Sequence, residues 1–371
     1  MKLLICFGTR PEAIKMAPIC LELNKRQIAF KLCVTAQHRE MLDQVLDFFQ
    51  LVPDYDLDLM QPNQSLNMLS SRILSEMDTI LENESFDLVL VHGDTTTSTL
   101  VALAAFHRNC KVAHIEAGLR TYNMQSPFPE ELNRQLTGRI SDFHFAPTQK
   151  AKINLLQEGI NESSVIVTGN TVIDSLHITL KKIEKGYNNA FVENLNETIN
   201  FNKRVILVTG HRRESFGSGF ENVCEAILEI SNNCDVDIVF PVHLNPNVQN
   251  VVYQKLSSVK NIHLIEPLDY PSFVWLMSKA VLIISDSGGI QEEAPSLNTP
   301  VLVTRKTTER EEGITSGYSI LVGTNTNRII HEANRILTTD KVNDKMTNPY
   351  GDGLAAIKIV DFIQNNVLIN D

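Results

Sequence analysis

The sequence predicts an α/β protein of two doubly wound domains with a central cleft, on three observations. Its 371 residues exceed the length at which a single core usually stops growing, so two domains of ordinary size are expected. Short apolar runs bounded by Gly, Asp or Ser alternate with amphipathic stretches along almost the whole chain, the pattern of parallel strands covered by helices on both faces. That pattern is interrupted near 175–203 by a polar stretch ending in YNNAFVENLNETINFNK, which puts a boundary near 170.

The elements follow in order. LLICF (3–7), FKLCV (30–34), DLVLVH (87–92) and KVAHIEA (111–117) read as strands of a first sheet, with FHFAP (143–147) and VIVTGN (165–170) as its last two. VILVTG (205–210), DIVFPV (237–242), IHLIEP (262–267), VLIISD (281–286) and PVLVTR (300–305) read as a second sheet. The Pro and glycines of NPYGDG (348–353) bend the chain into a final amphipathic run, LAAIKIVDFI. The expected domains are 1–170 and 171–350, with 351–371 a closing helix that returns to the first.

Composition narrows the function. Hydrophobic content of 43% and charged content of 21% are ordinary for a soluble globular protein and exclude extended disorder. No apolar run approaches bilayer length, and Met1-Lys2 leads directly into a strand with no cleavage site, so a cytoplasmic location is expected. The cysteines, Cys6, Cys20, Cys33, Cys110, Cys224 and Cys234, are scattered without a CxxC pair or zinc-type His spacing, and read as reduced core residues. A net charge of −11 excludes nucleic acid, which needs a dense basic surface. A small anion needs only a local positive pocket.

Ligands of doubly wound sheets sit outside the C-terminal strand ends, so the residues just after strands are the candidates. In FGTRPEAIK (7–15), a Gly turn enters a helix near Pro11, and Arg10 and Lys15 flank N–H groups suited to an anion. In VHGDTTTSTL (91–100), Asp94 is either a helix N-cap or a functional carboxylate. Glu116, in HIEAGLR (114–120), ends a strand of a sheet covered on both faces, where a carboxylate is hard to explain as solvated surface. In SPFPEELNRQ (126–135), Glu130 and Glu131 open a helix, where acidic residues also complement the macrodipole. Three carboxylates at the ends of one sheet can converge and raise one another's pKa.

In the second half, VTGHRRESFGSGF (208–220) sets His211, Arg212 and Arg213 at a strand end, as loop structure or as an anion-facing group. Its GSG lacks the third glycine of a dinucleotide fingerprint, with Asn222 in that place. IISDSGGIQEEAP (283–295) is more specific, since Ser287, Gly288 and Gly289 allow close backbone approach at a helix start, a nest for a diphosphate. Glu293 on that helix suits a ribose diol, whose hydroxyls a carboxylate accepts. Arg310 either adds charge to the same ligand or is solvated, and Phe273 either stacks near a base or packs in the core. His92, His114 and His243 sit at strand ends without metal-ligand spacing.

Together GTRPEAIK, QHREMLDQV, VHGDTTT, HIEAGLR, SPFPEE, GHRRESFG, PVHLNPNV, DSGGIQEEAP and NPYGDG resemble, in order along the whole chain, the bacterial non-hydrolysing UDP-N-acetylglucosamine 2-epimerases. The resemblance implies a two-Rossmann fold of the glycosyltransferase-B type, a cytoplasmic homodimer, and reversible conversion of UDP-GlcNAc to UDP-ManNAc for surface polysaccharide, with no metal and no nicotinamide cofactor. It implies that Asp94, Glu116 and Glu130 are catalytic with His211 beside them. Arg10, Lys15, Phe273, Ser287, Gly288, Gly289, Glu293 and Arg310 would hold UDP. Gln37 to Gln44, Arg72 and His243 resemble segments that line a second, activating substrate site. One position departs: the family commonly has Pro after the arginine matching Arg310, where this chain has Glu311.

C2 of such a sugar has no adjacent carbonyl, so its proton is not acidic enough for direct abstraction. Loss of UDP from C1 must come first, giving a 2-acetamidoglucal once a carboxylate takes the C2 proton. The sequence leaves three alternatives open: a hydrolysing epimerase releasing free ManNAc and UDP, a glycosyltransferase of the same fold, and a non-catalytic UDP-sugar sensor.

Overall fold

The computed structural model describes residues 2–35, 39–61, 64–210, 212, 217–339 and 347–367. It divides into two compact units, Met1–His177 with Tyr350–Asp371, and Ile178–Pro349.

In the first unit, β1 (Leu3–Phe7), α1 (Arg10–Lys25), β2 (Phe30–Val34), α2 (Arg39–Phe49), β3 (Tyr55–Asp56), α3 (Leu66–Asn83), β4 (Leu88–His92), α4 (Thr96–His107), β5 (Lys111–Ile115), α5 (Glu130–Ile140), β6 (Phe143–Ala146), α6 (Gln149–Gln157), β7 (Val165–Val167) and the first half of α7 (Thr171–Glu184) follow one another. The seven strands pair in parallel in the order β3-β2-β1-β4-β5-β6-β7. Every residue of β1 is fully buried, as an unbroken apolar run between two helical layers must be. On one face, Leu4, Cys6, Val89 and Val91 pack with Ile73, Met77, Val101 and Ala105 of α3 and α4. Burying one such large aliphatic side chain contributes about 1.5–3 kcal/mol. Helix α1 starts on a capping box: Thr9 Oγ1 accepts from the Glu12 N–H, and Glu12 Oε2 accepts from the Thr9 N–H at 2.8 Å.

In the second unit, α8 (Ala190–Thr198), β8 (Arg204–Thr209), α9 (Ser218–Asn233), β9 (Val236–Pro241), α10 (Pro246–Leu256), β10 (Ile262–Ile265), α11 (Tyr270–Lys279), β11 (Ala280–Ser285), α12 (Gly288–Glu293), β12 (Val301–Val303), α13 (Glu311–Thr315), β13 (Ser319–Leu321) and α14 (Thr326–Thr338) give a six-stranded parallel sheet in the order β10-β9-β8-β11-β12-β13. Its core joins Ile206, Val208, Ile238, Phe240 and Ile284 to Phe220, Ile227, Val252 and Ile329 of the covering helices.

Helix α15 (Ala355–Asn366) belongs to the first unit. Phe362 meets the rings of Phe143 and Phe145 edge-on at 5.3 and 5.5 Å, and Arg26 donates to Asp361 Oδ1 at 2.6 Å. Leu354 offers this helix no side-chain cap. Asp174 on α7 does instead, accepting from the N–H groups of Ala355 and Ala356 at 3.2 and 2.9 Å.

Two strands escape the sequence pattern, β3 and β13. They are two and three residues long, too short to establish a period. No helix among the described residues is long and apolar enough to cross a membrane.

Candidate active site

Strand order identifies where chemistry belongs. In the first unit β1 pairs with both β2 and β4, so the chain winds outward in both directions from the β1/β4 boundary. Ligands bind outside the carboxyl ends of the strands at such a switch point. There the segments Gly8–Arg10, Gly93–Asp94 and, from the neighbouring β5, Glu116 emerge.

Glu116 lies one residue past β5 with φ +61°, a left-handed conformation that strains a side-chain-bearing residue by about 1–3 kcal/mol and persists only where its surroundings impose it. Its side chain is 8% exposed and forms an ion pair through Oε1 with Lys15 of α1. Asn170 Nδ2 donates to the same oxygen at 2.7 Å. Oε2 lies 3.8 Å from His92 Nε2. A Cβ placed on Gly93, itself at φ +64°, would stand 3.4 Å from Oε2. Burial drives the His92 pKa down to about 4 against the opposing pull of Glu116, so the ring is neutral at physiological pH. His114 is likewise lowered by burial, to about 3, and pairs through Nε2 with the Gly93 carbonyl at 2.7 Å.

The structure resolves the ambiguity at Asp94. The cap of α4 is Thr95, whose Oγ1 accepts from the Ser98 N–H at 3.0 Å, which leaves the Asp94 side chain for other work. Its Oδ2 is 2.9 and 2.7 Å from Nε and Nη2 of Arg134 on α5, and Asn133 Nδ2 donates to the Asp94 carbonyl at 2.9 Å. Helix α5 is thereby clamped to the β4–α4 turn. The adjacent glutamates at its start differ sharply. Glu131 is fully buried and accepts from the N–H groups of Thr121 and Tyr122 at 2.9 and 3.0 Å, from Gln135 at 2.9 Å and from Arg134 at 3.2 Å. Burial pushes its carboxyl up, but these donors outweigh burial and hold it below its ordinary value. Glu130 has a buried Oε2 with no hydrogen-bond partner among the described residues.

Arg10 opens α1 half-buried. Glu12, which the sequence reading passed over, joins the two turns of the switch point: Oε2 accepts from the Gly8 and Thr9 N–H groups, and Oε1 from Thr95 Oγ1 at 2.7 Å. Burial raises its carboxyl to about 7 despite these donors.

The second unit repeats the logic, because β8 pairs with both β9 and β11. Outside β11, a Cβ on Gly288 would come within 2.7 Å of the Arg310 guanidinium, so only glycine admits Arg310 against the start of α12. The space over Gly289 is bounded by Glu293 Oε2 and Ser287 Oγ, at 3.9 and 4.0 Å from a Cβ built there. Tyr270 donates its hydroxyl to Glu293 Oε1 at 2.8 Å. Arg310 Nε donates to Glu292 Oε1 at 3.0 Å and also pairs with Glu309, which Arg305 Nη1 meets at 2.9 Å. Burial pushes the Glu309 carboxyl up, yet Arg310, Arg305 and Arg212 together hold it at about 2. Arg212 is depressed by burial first and by Arg305 next. The three arginines converge on Glu309, with Glu292 beside Arg310 and Asp286 beside Arg212; Arg305 and Glu309 carried no sequence signal beyond their charge. Phe273 is half-buried on α11. Glu311 occupies the first position of α13, where Pro is also favoured.

His211 and Gln37 lie outside the described residues, as does Arg213. Gln44 is exposed on α2, whereas Arg72 on α3 donates to the Leu59 carbonyl at 3.3 Å and to Gln64 Oε1 at 2.9 Å. His243 is exposed beyond β9, with Nδ1 accepting from the Asn245 N–H at 3.1 Å. Among the described residues no three His, Cys, Asp or Glu side chains are grouped to hold a metal ion.

Two all-parallel sheets with their polar clusters at the switch points define an α/β protein of the glycosyltransferase-B type. The family model for UDP-N-acetylglucosamine 2-epimerase matches residues 21–364. A Campylobacter jejuni UDP-N-acetylglucosamine 2-epimerase is 51% identical over 371 residues, covering 98% of this chain and 97% of its own. The crystal structure of a Neisseria meningitidis UDP-GlcNAc 2-epimerase bound to UDP-GlcNAc superposes with a TM-score of 0.93 at 51% identity, covering 99% of this chain and 100% of its own. A Staphylococcus aureus structure solved with UDP matches with a TM-score of 0.88 at 43% identity, covering 98% of this chain and 96% of its own. The chain belongs to the UDP-N-acetylglucosamine 2-epimerase family.

Proposed function

We propose that this protein is an isomerase, a non-hydrolysing 2-epimerase that interconverts UDP-GlcNAc and UDP-ManNAc in the cytoplasm and supplies ManNAc for surface polysaccharide. The observation that carries the reading is the carboxylate arrangement of the first unit. Glu116 and Asp94 are each held by a cation at one switch point, and Glu130, on the helix clamped to Asp94, keeps a buried oxygen without a partner among the described residues.

The chemistry needs such an arrangement. Departure of UDP from C1 builds positive charge on the ring, which fixed carboxylates stabilise without reorganising. Proton transfer at C2 then gives 2-acetamidoglucal, and re-addition of UDP with protonation from the other face inverts the centre, so acid/base groups are required on both faces. Asp94, Glu116 and Glu130 are assigned these roles, and His211 is assigned as a further catalytic residue. The Arg310, Arg305 and Arg212 cluster and the Ser287-Gly288-Gly289 turn suit the diphosphate, with Arg10 and Lys15 as further cations. Glu293 suits the ribose diol and Phe273 the base. Gln37, Gln44, Arg72 and His243 are assigned to an activating site for the substrate itself. A homodimer is favoured by Leu132 and Leu136, exposed large apolar residues one turn apart on α5, and by Phe128, exposed just before it.

Incubation with UDP-GlcNAc in D2O tests this. Deuterium should enter C2 of both epimers while they stay linked to UDP. Free ManNAc and UDP as main products, or epimerisation without deuterium, overturns the reading.

A further inference from the structure

Asn170 stands just after β7 and is 2% exposed. Each of its polar groups is engaged. Oδ1 accepts from the Val172 N–H at 3.1 Å, which fixes the orientation of the amide and leaves Nδ2 pointing at Glu116 Oε1, 2.7 Å away. The backbone N–H donates to the Tyr350 carbonyl at 2.7 Å. That last bond needs the chain to pass unusually close: a Cβ on Gly169 would stand 3.2 Å from Gly351 Cα. Asn170 is thus built into the place where the chain re-enters the first unit, and its amide is aimed at one oxygen of one carboxylate.

Lys15 from α1 pairs with the same oxygen, whereas His92 from β4 faces Oε2; Asp94 acts on the His92 titration from the following turn. The two oxygens of Glu116 are therefore inequivalent. One holds a cation and an amide donor. The other faces a neutral imidazole and Gly93, which has no side chain of its own.

We propose that Asn170 is a positioning residue for Glu116: its amide pins Oε1, fixes the rotation of the carboxylate and so sets the direction in which Glu116 gives or takes the proton at C2. The proposal rests on Glu116 being an acid/base group in the reaction argued above. An amide is suited to the task because it donates without titrating. Lys15 alone would hold the charge but not the rotation of the carboxylate, since an ammonium is a rotatable point donor with no planar preference. Donation to the ionised form also lowers the pKa at which Glu116 changes state.

N170D keeps an acceptor for the Val172 N–H and loses the fixed donor toward Glu116 but adds a like charge beside it, whereas N170A removes the donor with no added charge, so the N170A shift is the one that separates this role from a structural one. We expect kcat at neutral pH to fall about tenfold or more, with KM and UDP affinity within about threefold, and the pH-profile limb set by Glu116 to move to higher pH. That limb moves upward whether Glu116 acts as acid or base. N170A in the same assays should shift it the same way, and it stands in if N170D fails to fold. Wild-type kcat with an unmoved profile overturns the proposal, and so does slow turnover with an unmoved profile, which marks a purely structural residue. E116Q, run alongside, keeps the two readings apart. If E116Q is fully active, the acid/base role of Glu116 has failed; if E116Q is dead and the Asn170 variants are normal, only this inference has.

Discussion

At the first turn of α5 two neighbouring glutamates separate stability from chemistry. Glu131 receives only donors, so in Glu131→Gln the introduced amide faces N–H groups it cannot accept from. Such an uncompensated site costs about 1–3 kcal/mol, more where a charge is involved. Urea unfolding should show that loss. Glu130→Gln removes a carboxylate whose buried oxygen lacks a partner among the described residues, so its unfolding midpoint should be unchanged or raised while kcat drops by about 10²–10⁴, the usual worth of an acid/base group. The opposite pattern would exchange the two roles. The residue pattern alone offered Glu130 and Glu131 as an undivided pair, with only the family resemblance singling out Glu130, since the physical distinction depends on Thr121 and Tyr122 folding back across ten residues of loop. Asn170 was invisible for the same kind of reason: its meaning is a bond to a side chain 54 positions away. Asp94 was legible as a polar residue at a strand end, but whether it or Thr95 capped α4 depended on backbone geometry.

The elements themselves were easier to read, because parallel strands buried on both faces are continuous apolar runs and eleven such runs mark the interior and two of the four edges of the two sheets. What could not be read was how distant elements are fastened. Helix α15 borrows its cap from Asp174, 181 residues earlier, and that dependence has a pH signature. Burial raises the Asp174 carboxyl from 3.8 to about 6, so the folded chain binds this proton more tightly than the unfolded one. Its contribution to stability is then complete below pH ~3.8 and is lost as pH rises through about 6, amounting to at most about 3 kcal/mol. Asp174→Asn keeps an acceptor for the Ala355 and Ala356 N–H groups but cannot titrate. The difference in unfolding free energy between wild type and variant should therefore shift toward the variant between pH 4 and 6.5. A difference constant over that range would remove Asp174 as its source.

Across the whole molecule the same topological rule operates twice, and the two switch points carry different chemistry. The first gathers carboxylates, of which Glu116 and Asp94 are each steadied by a cation; the second gathers arginines around Glu309. This division predicts that nucleotide affinity and turnover can be lost independently. UDP binding only the folded state stabilises it by RT ln(1 + [L]/Kd), about 2.7 kcal/mol at a hundredfold excess over Kd. Asp94→Asn, Glu116→Gln and Glu130→Gln should keep that UDP-induced rise in thermal midpoint while losing turnover. Arg310→Gln should lose most of the rise, because Gly288 has given its side-chain space to that guanidinium and Glu292 and Glu309 orient it. Removing it also leaves Glu309 with less opposing charge, so the Arg310→Gln midpoint without UDP must be measured as its own baseline. A full UDP shift in Arg310→Gln would show that the arginine cluster serves the fold and that the diphosphate is held elsewhere.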